Sequence, residues 1–291
     1  MDGGTLGLYA YINTQNLKKM RACDNSMEET KLKKPHYVFI HGAGGGSWCW
    51  YKIKCLMHNS GYTVTCIDLK GAGIDLSDPN KILSFDEYNK PLIDFLSTLP
   101  GHEQVVLVGH SAGGLSLTDA SHKFPKKIAL AVYIAATMLK HGFSTEQDVK
   151  DGVPDVSEFG DVYDFEYGLG PDQPPTSAIV KKELERKLIY NMSPPEDVTL
   201  ASMLLRPAPL YAFQRAEFKE GTKSVEKVPR VYIKTMYDRV LKPEQQDKMI
   251  AKWPPSNVYV IESDHSPNFS NPFVLCDILV NAYVSMGHTC T

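Results

Sequence analysis

The sequence offers little that would hold it to a membrane, to nucleic acid or around a metal ion. No apolar run approaches the roughly 20 residues of a bilayer span. The 31 Lys and Arg are scattered and balanced by 34 Asp and Glu, for a net charge of −3. That leaves no basic face for phosphates or anionic lipid, so neither nucleic acid nor a membrane is an expected partner. The first twenty residues, MDGGTLGLYAYINTQNLKKM, lack both a basic start and an apolar core, and a cytoplasmic location without a secretory signal is expected. The six cysteines, Cys23, Cys49, Cys55, Cys66, Cys276 and Cys290, form no C-x-x-C pair and read as reduced thiols. The nine histidines show no ligand spacing, so no metal and no cofactor are expected.

What the sequence does have is apolar substance, 43% of 291 residues, enough to bury a large core. Residues 1–34 are polar and irregular and read as a flexible N-terminal extension. From His36 onward, strands alternate with helices: HYVFIHG, then the amphipathic CWYKIKCLMHNSG, then YTVTCIDLKG, then SFDEYNKPLIDFLSTL with Ser84 as its N-cap. VVLVG and IALAVYIAA continue the series, and VPRVYIKTMYD, EQQDKMIAKWP, NVYVIESDHSP and NPFVLCDILVNAYVSM complete it. This alternation predicts an α/β protein with a mostly parallel sheet and helices on both faces. The core is expected over 35–137 and 228–291. Across 138–227 the alternation lapses, yet Phe165, Tyr167, Tyr190, Met203, Leu204, Leu205, Tyr211 and Phe213 carry too much apolar surface for a disordered linker. An inserted cap over the strand ends is the expected form. No internal repeat is visible.

One stretch carries chemistry. VVLVGHSAGG takes a buried strand through two glycines into a helix, with Ser111 between them. A strained strand-to-helix turn of this kind lifts a serine hydroxyl into a cleft. A serine needs a base, and the base needs a group that fixes its tautomer. Asp238 comes just after VYIKT and His265 just after VYVIES, both at the carboxyl ends of strands, where sites converge in parallel sheets. The order Ser, Asp, His is that of the α/β-hydrolases. Asp264, next to His265, reads as an exposed acid. His110 is expected to turn away from the cleft or to line its mouth, and His41 to be structural or catalytic with equal weight. The Ala112 amide and, from the loop HGAGGGSWCW, the Ala43 amide are the natural oxyanion donors. That loop lacks the Lys-Ser/Thr ending of a phosphate-binding loop.

With HGAGGGSWCWYKIKCLM, TCIDLKGAGI, GHSAGG and SDHSPNFSNP in view, the chain resembles the plant methylesterase and hydroxynitrile lyase branch of the α/β-hydrolases, from about His36 to the C-terminus. TCIDLK, FPKKI, DGVPD, GLGP, PPTSAI, VPRVYIKT and ESDHSP look most like methylesterases acting on methyl indole-3-acetate. The resemblance implies Ser111 as nucleophile, His265 as base, Asp238 as its orienter, and Ala43 with Ala112 as oxyanion donors. It also implies small-molecule substrates: methyl esters of auxin, salicylate or jasmonate, or of an alkaloid. The lyases it resembles carry threonine at the position of Gly42, cysteine at Ala112 and lysine at Ser266. The lysine gives departing cyanide a positive charge that serine cannot supply. A hormone receptor built on the same fold is the reading from another class, and a homodimer is an open expectation. Gly42, His110, Phe143, Tyr167, Tyr190, Met203 and Leu204 are the residues expected to touch substrate, the last five as candidates also readable as packing within the cap.

Overall fold

In the computed structural model, which describes residues 34–218 and 225–287, the chain begins its sheet with β1 (His36–Ile40) and continues through α1 (Tyr51–Asn59), β2 (Thr63–Ile67), α2 (Phe85–Thr98), β3 (Val105–His110), α3 (Gly113–Lys123) and β4 (Ile128–Ile134). It then leaves the sheet for α4 (Glu146–Gly152), β5 (Tyr163–Glu166), β6 (Ser177–Val180), α5 (Lys182–Leu188), α6 (Pro195–Leu204) and α7 (Leu210–Phe213). It returns with β7 (Arg230–Thr235), α8 (Pro243–Lys252), β8 (Asn257–Ile261), α9 (Pro267–Ser270) and α10 (Pro272–Ser285). The extension expected over 1–34 lies, except for Lys34, outside the described residues, as do Cys23 and Cys290.

The main sheet runs β2-β1-β3-β4-β7-β8, every neighbouring pair parallel. Helices cover both faces, which is why the inner strands read as unbroken apolar runs rather than alternating ones. Successive residues of a strand point to opposite faces. Val38 and Ile40 of β1 therefore pack with Leu92 of α2 and Leu117 of α3, while Tyr37 and Phe39 pack with Ile53 of α1 and Leu279 of α10. Ser84 caps α2 as its sequence suggests, its Oγ accepting the Glu87 N–H at 3.2 Å, and this satisfies an amide that the first turn leaves free.

The described residues of this insertion, 138–218 and 225–227, fall within the same compact unit as the sheet, Pro35–His288. The segment holds α5 and α6 together with an antiparallel pair, β5 and β6, that the sequence did not announce. These strands have four residues each, and β5 is mostly exposed, so the alternation of Tyr163 and Phe165 with Asp164 and Glu166 is too short to announce a strand. Among the described residues no helix is long and apolar enough to cross a membrane.

Candidate functional site

The strand-to-helix turn after β3 holds Ser111 at φ +54°, a left-handed conformation that costs a non-glycine residue on the order of 1–3 kcal/mol. It is held from three sides. Its N–H donates to Ile134 O at 3.2 Å, and its carbonyl accepts from Gly114 N and Thr137 N, each at 3.0 Å. The flanking glycines are required by proximity: a Cβ on Gly113 would stand 2.6 Å from His41 O, and one on Gly109 would stand 2.5 Å from Leu117 Cδ1. The helix can start this close to β1 only without those side chains.

His265 follows β8 and Asp238 follows β7. The Nδ1–H of His265 donates to Asp238 Oδ2 at 2.8 Å, with both residues buried. Asp238 is itself fixed. Its Oδ2 accepts from Thr235 Oγ1 at 2.9 Å, and its Oδ1 accepts the Val240 and Leu241 amides at 2.8 and 2.9 Å. The imidazole therefore keeps its lone pair on Nε2. Ser111 and His265 line one cavity without a hydrogen bond between them, a contact that often tightens only when substrate binds.

Ala43 and Ala112 line the same cavity, and among the described residues no acceptor takes the backbone N–H of either. Two free amides beside an upturned serine are what a developing oxyanion needs. The loop that offers Ala43 is braced from below by His41, which is wholly buried. Its Nδ1–H donates to Gly42 O at 2.8 Å and its Nε2 accepts Leu69 N–H at 3.1 Å. With both nitrogens occupied, the role of His41 is structural. Gly42 is tight in the same way as the elbow glycines, since a Cβ there would lie 2.8 Å from Ser111 Cβ.

His110 lines the cavity, but its Nε2–H is spent on His265 O at 2.7 Å, and its ring lies 4.7 Å from the His265 ring, centroid to centroid. Burial, followed by the neighbouring His265 imidazole, pushes its pKa down to about 3. Burial also lowers that of His41. The unfolded chain therefore takes up protons at these two positions below its own pKa near 6.5 while the folded protein does not. Their contribution to stability is complete above pH 6.5 and is lost as the pH falls, for His110 down to about 3. Urea unfolding of wild type should show a steeper loss of stability from pH 7 to 5 than His110→Gln, by up to about 1.4 kcal/mol per pH unit.

The cavity has a volume of about 450 Å³, within the ordinary range for small-molecule sites. Of the residues expected to touch substrate, Gly42, His110, Phe143 and Tyr190 line it. Tyr167, Met203 and Leu204 do not. Tyr167 is half exposed just past β5, and Met203 is 76% exposed on α6. The inward face of α6 is instead Ala201, fully buried, and one turn on, Leu205, which does line the cavity. That four-residue spacing was present in the sequence and marks the apolar face. Trp48, from the loop HGAGGGSWCW, is a further lining residue, as are Tyr163, Leu188, Phe213 and Leu241, which carry no motif of their own. Asp264 is also corrected. It is wholly buried rather than exposed, accepting from Met192 N and Ser193 Oγ of the insertion, each at 2.8 Å.

Sheet order, elbow and the Ser-Asp-His arrangement describe one class of protein, and comparison agrees. The model of the alpha/beta hydrolase family matches residues 37–278. Methylesterase 17 of Arabidopsis thaliana is 63% identical over 272 residues, 91% of this chain and 99% of that one. A pheophorbidase of Raphanus sativus is 48% identical over 248 residues, 85% of this chain and 93% of its own. The crystal structure of the methylesterase MES16 from Arabidopsis superimposes with a TM-score of 0.77 at 45% identity, covering 87% of this chain and 99% of that one. The chain belongs to the α/β-hydrolase family, in its plant methylesterase branch.

Proposed function

We propose that this protein is a serine esterase that hydrolyses methyl esters of small apolar plant acids, methyl indole-3-acetate first among them. The observation that carries the reading is the 2.8 Å bond between His265 Nδ1 and Asp238 Oδ2, beside a Ser111 held at φ +54° on the wall of the same cavity. His265 Nε2 takes the Ser111 proton as the hydroxyl attacks the ester carbonyl. The oxyanion forms against the Ala43 and Ala112 amides, and methanol leaves with the proton returned by His265. Water then releases the acid by the same route. The relatives named methylesterases support the ester class. The apolar wall formed by Phe143, Leu188, Leu205, Phe213 and Leu241 favours an aromatic or aliphatic acyl group.

Hydrolysis is favoured over cyanohydrin cleavage because, among the described residues, no lysine or arginine lines the cavity. Ser266 stands at its wall where a departing cyanide would need a cation. The test is a panel of methyl indole-3-acetate, methyl salicylate, methyl jasmonate and an alkaloid methyl ester, read by methanol release, with mandelonitrile read by cyanide release. Methanol from at least one ester and no cyanide is expected. Cyanide release, or ligand binding without any turnover, would overturn the reading in favour of a lyase or a receptor.

A further inference from the structure

The segment from Met192 to Arg206, with α6 at its centre, touches the catalytic machinery at both ends. At its start, Met192 N–H and Ser193 Oγ–H each donate to Asp264 Oδ2 at 2.8 Å. Asp264 directly precedes His265, and its Oδ1 accepts Ser266 N–H at 3.0 Å. The buried carboxylate thus joins the insertion to the loop that presents the base, from both sides of His265. Among the described residues it has no cation within salt-bridge distance, so these donors from the insertion and the base loop are what compensate its burial.

At the other end, Arg206 N–H donates to Gly44 O at 2.9 Å, one residue beyond the Ala43 amide. Gly44 has φ +70°, and a Cβ there would lie 2.6 Å from Arg206 O, so the two backbones are in direct contact. The Arg206 guanidinium meets no carboxylate among the described residues. It donates instead to the carbonyls of Asp75 and Gly73 in the loop after β2. Between the two ends, buried Asp197 of α6 accepts from Tyr51 OH at 2.6 Å and from Lys52 Nζ of α1. Tyr190 and Leu205, just outside and just inside these anchors, line the cavity.

We propose that residues 192–206 form a strap that positions the base loop and the oxyanion loop together, with Asp264 and Arg206 as its positioning residues. This inference rests on the serine-esterase reading for its substrate assay but not for its second readout. Loosening either end lets one half of the machinery drift. Once the strap is loose at one end, loosening the other has little left to remove.

The experiment compares Ser193→Ala, Arg206→Met and the double variant, with Ser193→Thr as the conservative control. Two rates are read: kcat for methyl indole-3-acetate, and labelling of Ser111 by an alkyl fluorophosphonate, which needs the same serine, base and oxyanion amides but no ester. Each single variant should lower both rates about five- to tenfold, the order of one charge-assisted or buried hydrogen bond, with KM within about twofold and Ser193→Thr near wild type. The double variant should be no slower than the worse single. Losses that multiply would mean two independent local supports and would overturn the strap. So would wild-type labelling in either single variant. Should wild type label readily yet release no methanol, the esterase reading fails, and the labelling rates alone decide the strap.

Discussion

Ser111→Ala should lower methanol release by about a million-fold, the scale at which loss of a serine nucleophile removes the acyl-enzyme route altogether. The protein should remain folded. Alanine meets the same left-handed strain at φ +54°, and the three backbone bonds that hold the position involve no side chain. Lost turnover with retained binding of a methyl ester separates chemistry from packing. A steady-state assay beside a thermal shift with bound ester checks both.

Asp238→Asn should cost about ten-thousand-fold in kcat, more than any substitution among the apolar lining residues. The Oδ2 that accepts the His265 Nδ1–H also accepts from Thr235 Oγ1, and Oδ1 accepts the Val240 and Leu241 amides. Asparagine fills this space with Oδ1 on the two amides, which places its NH₂ toward His265. Nδ1 must then accept, the proton moves to Nε2, and the base is closed to Ser111. Substrate binding should be little changed, so the loss should appear in kcat with KM within a few fold.

The sheet and the candidate site were readable because buried parallel strands write themselves as apolar runs, and the three residues proposed to react sit just past three of them: Ser111 after VVLVGH, Asp238 after VYIKT, His265 after VYVIES. Strand ends are local features. Asp264 was misread because adjacency to His265 settles only that it cannot reach the imidazole. Its partner Ser193 is 71 residues away, a contact that no periodicity encodes. The β5–β6 pair stayed hidden for a related reason, since strands of four residues are too short for their alternation to stand out. Met203 and Leu204 were a matter of helical phase. The i, i+4 relation of Ala201 and Leu205 identifies the inward face and leaves Met203 76% exposed. His110 combined both difficulties, because its partner is the backbone of His265, 155 residues on.

A covalent acyl group on Ser111 is what the proposed mechanism turns on, and partitioning of a common intermediate tests it most directly. Methyl, phenyl and 4-nitrophenyl esters of indole-3-acetic acid are hydrolysed in the presence of ethanol, which fits where methanol leaves, and the ratio of ethyl ester to free acid is measured for each. One acyl-enzyme, partitioning between ethanol and water, gives the same ratio from all three esters. A ratio that changes with the leaving group would mean that water attacks the ester directly, and Ser111 would not be the nucleophile.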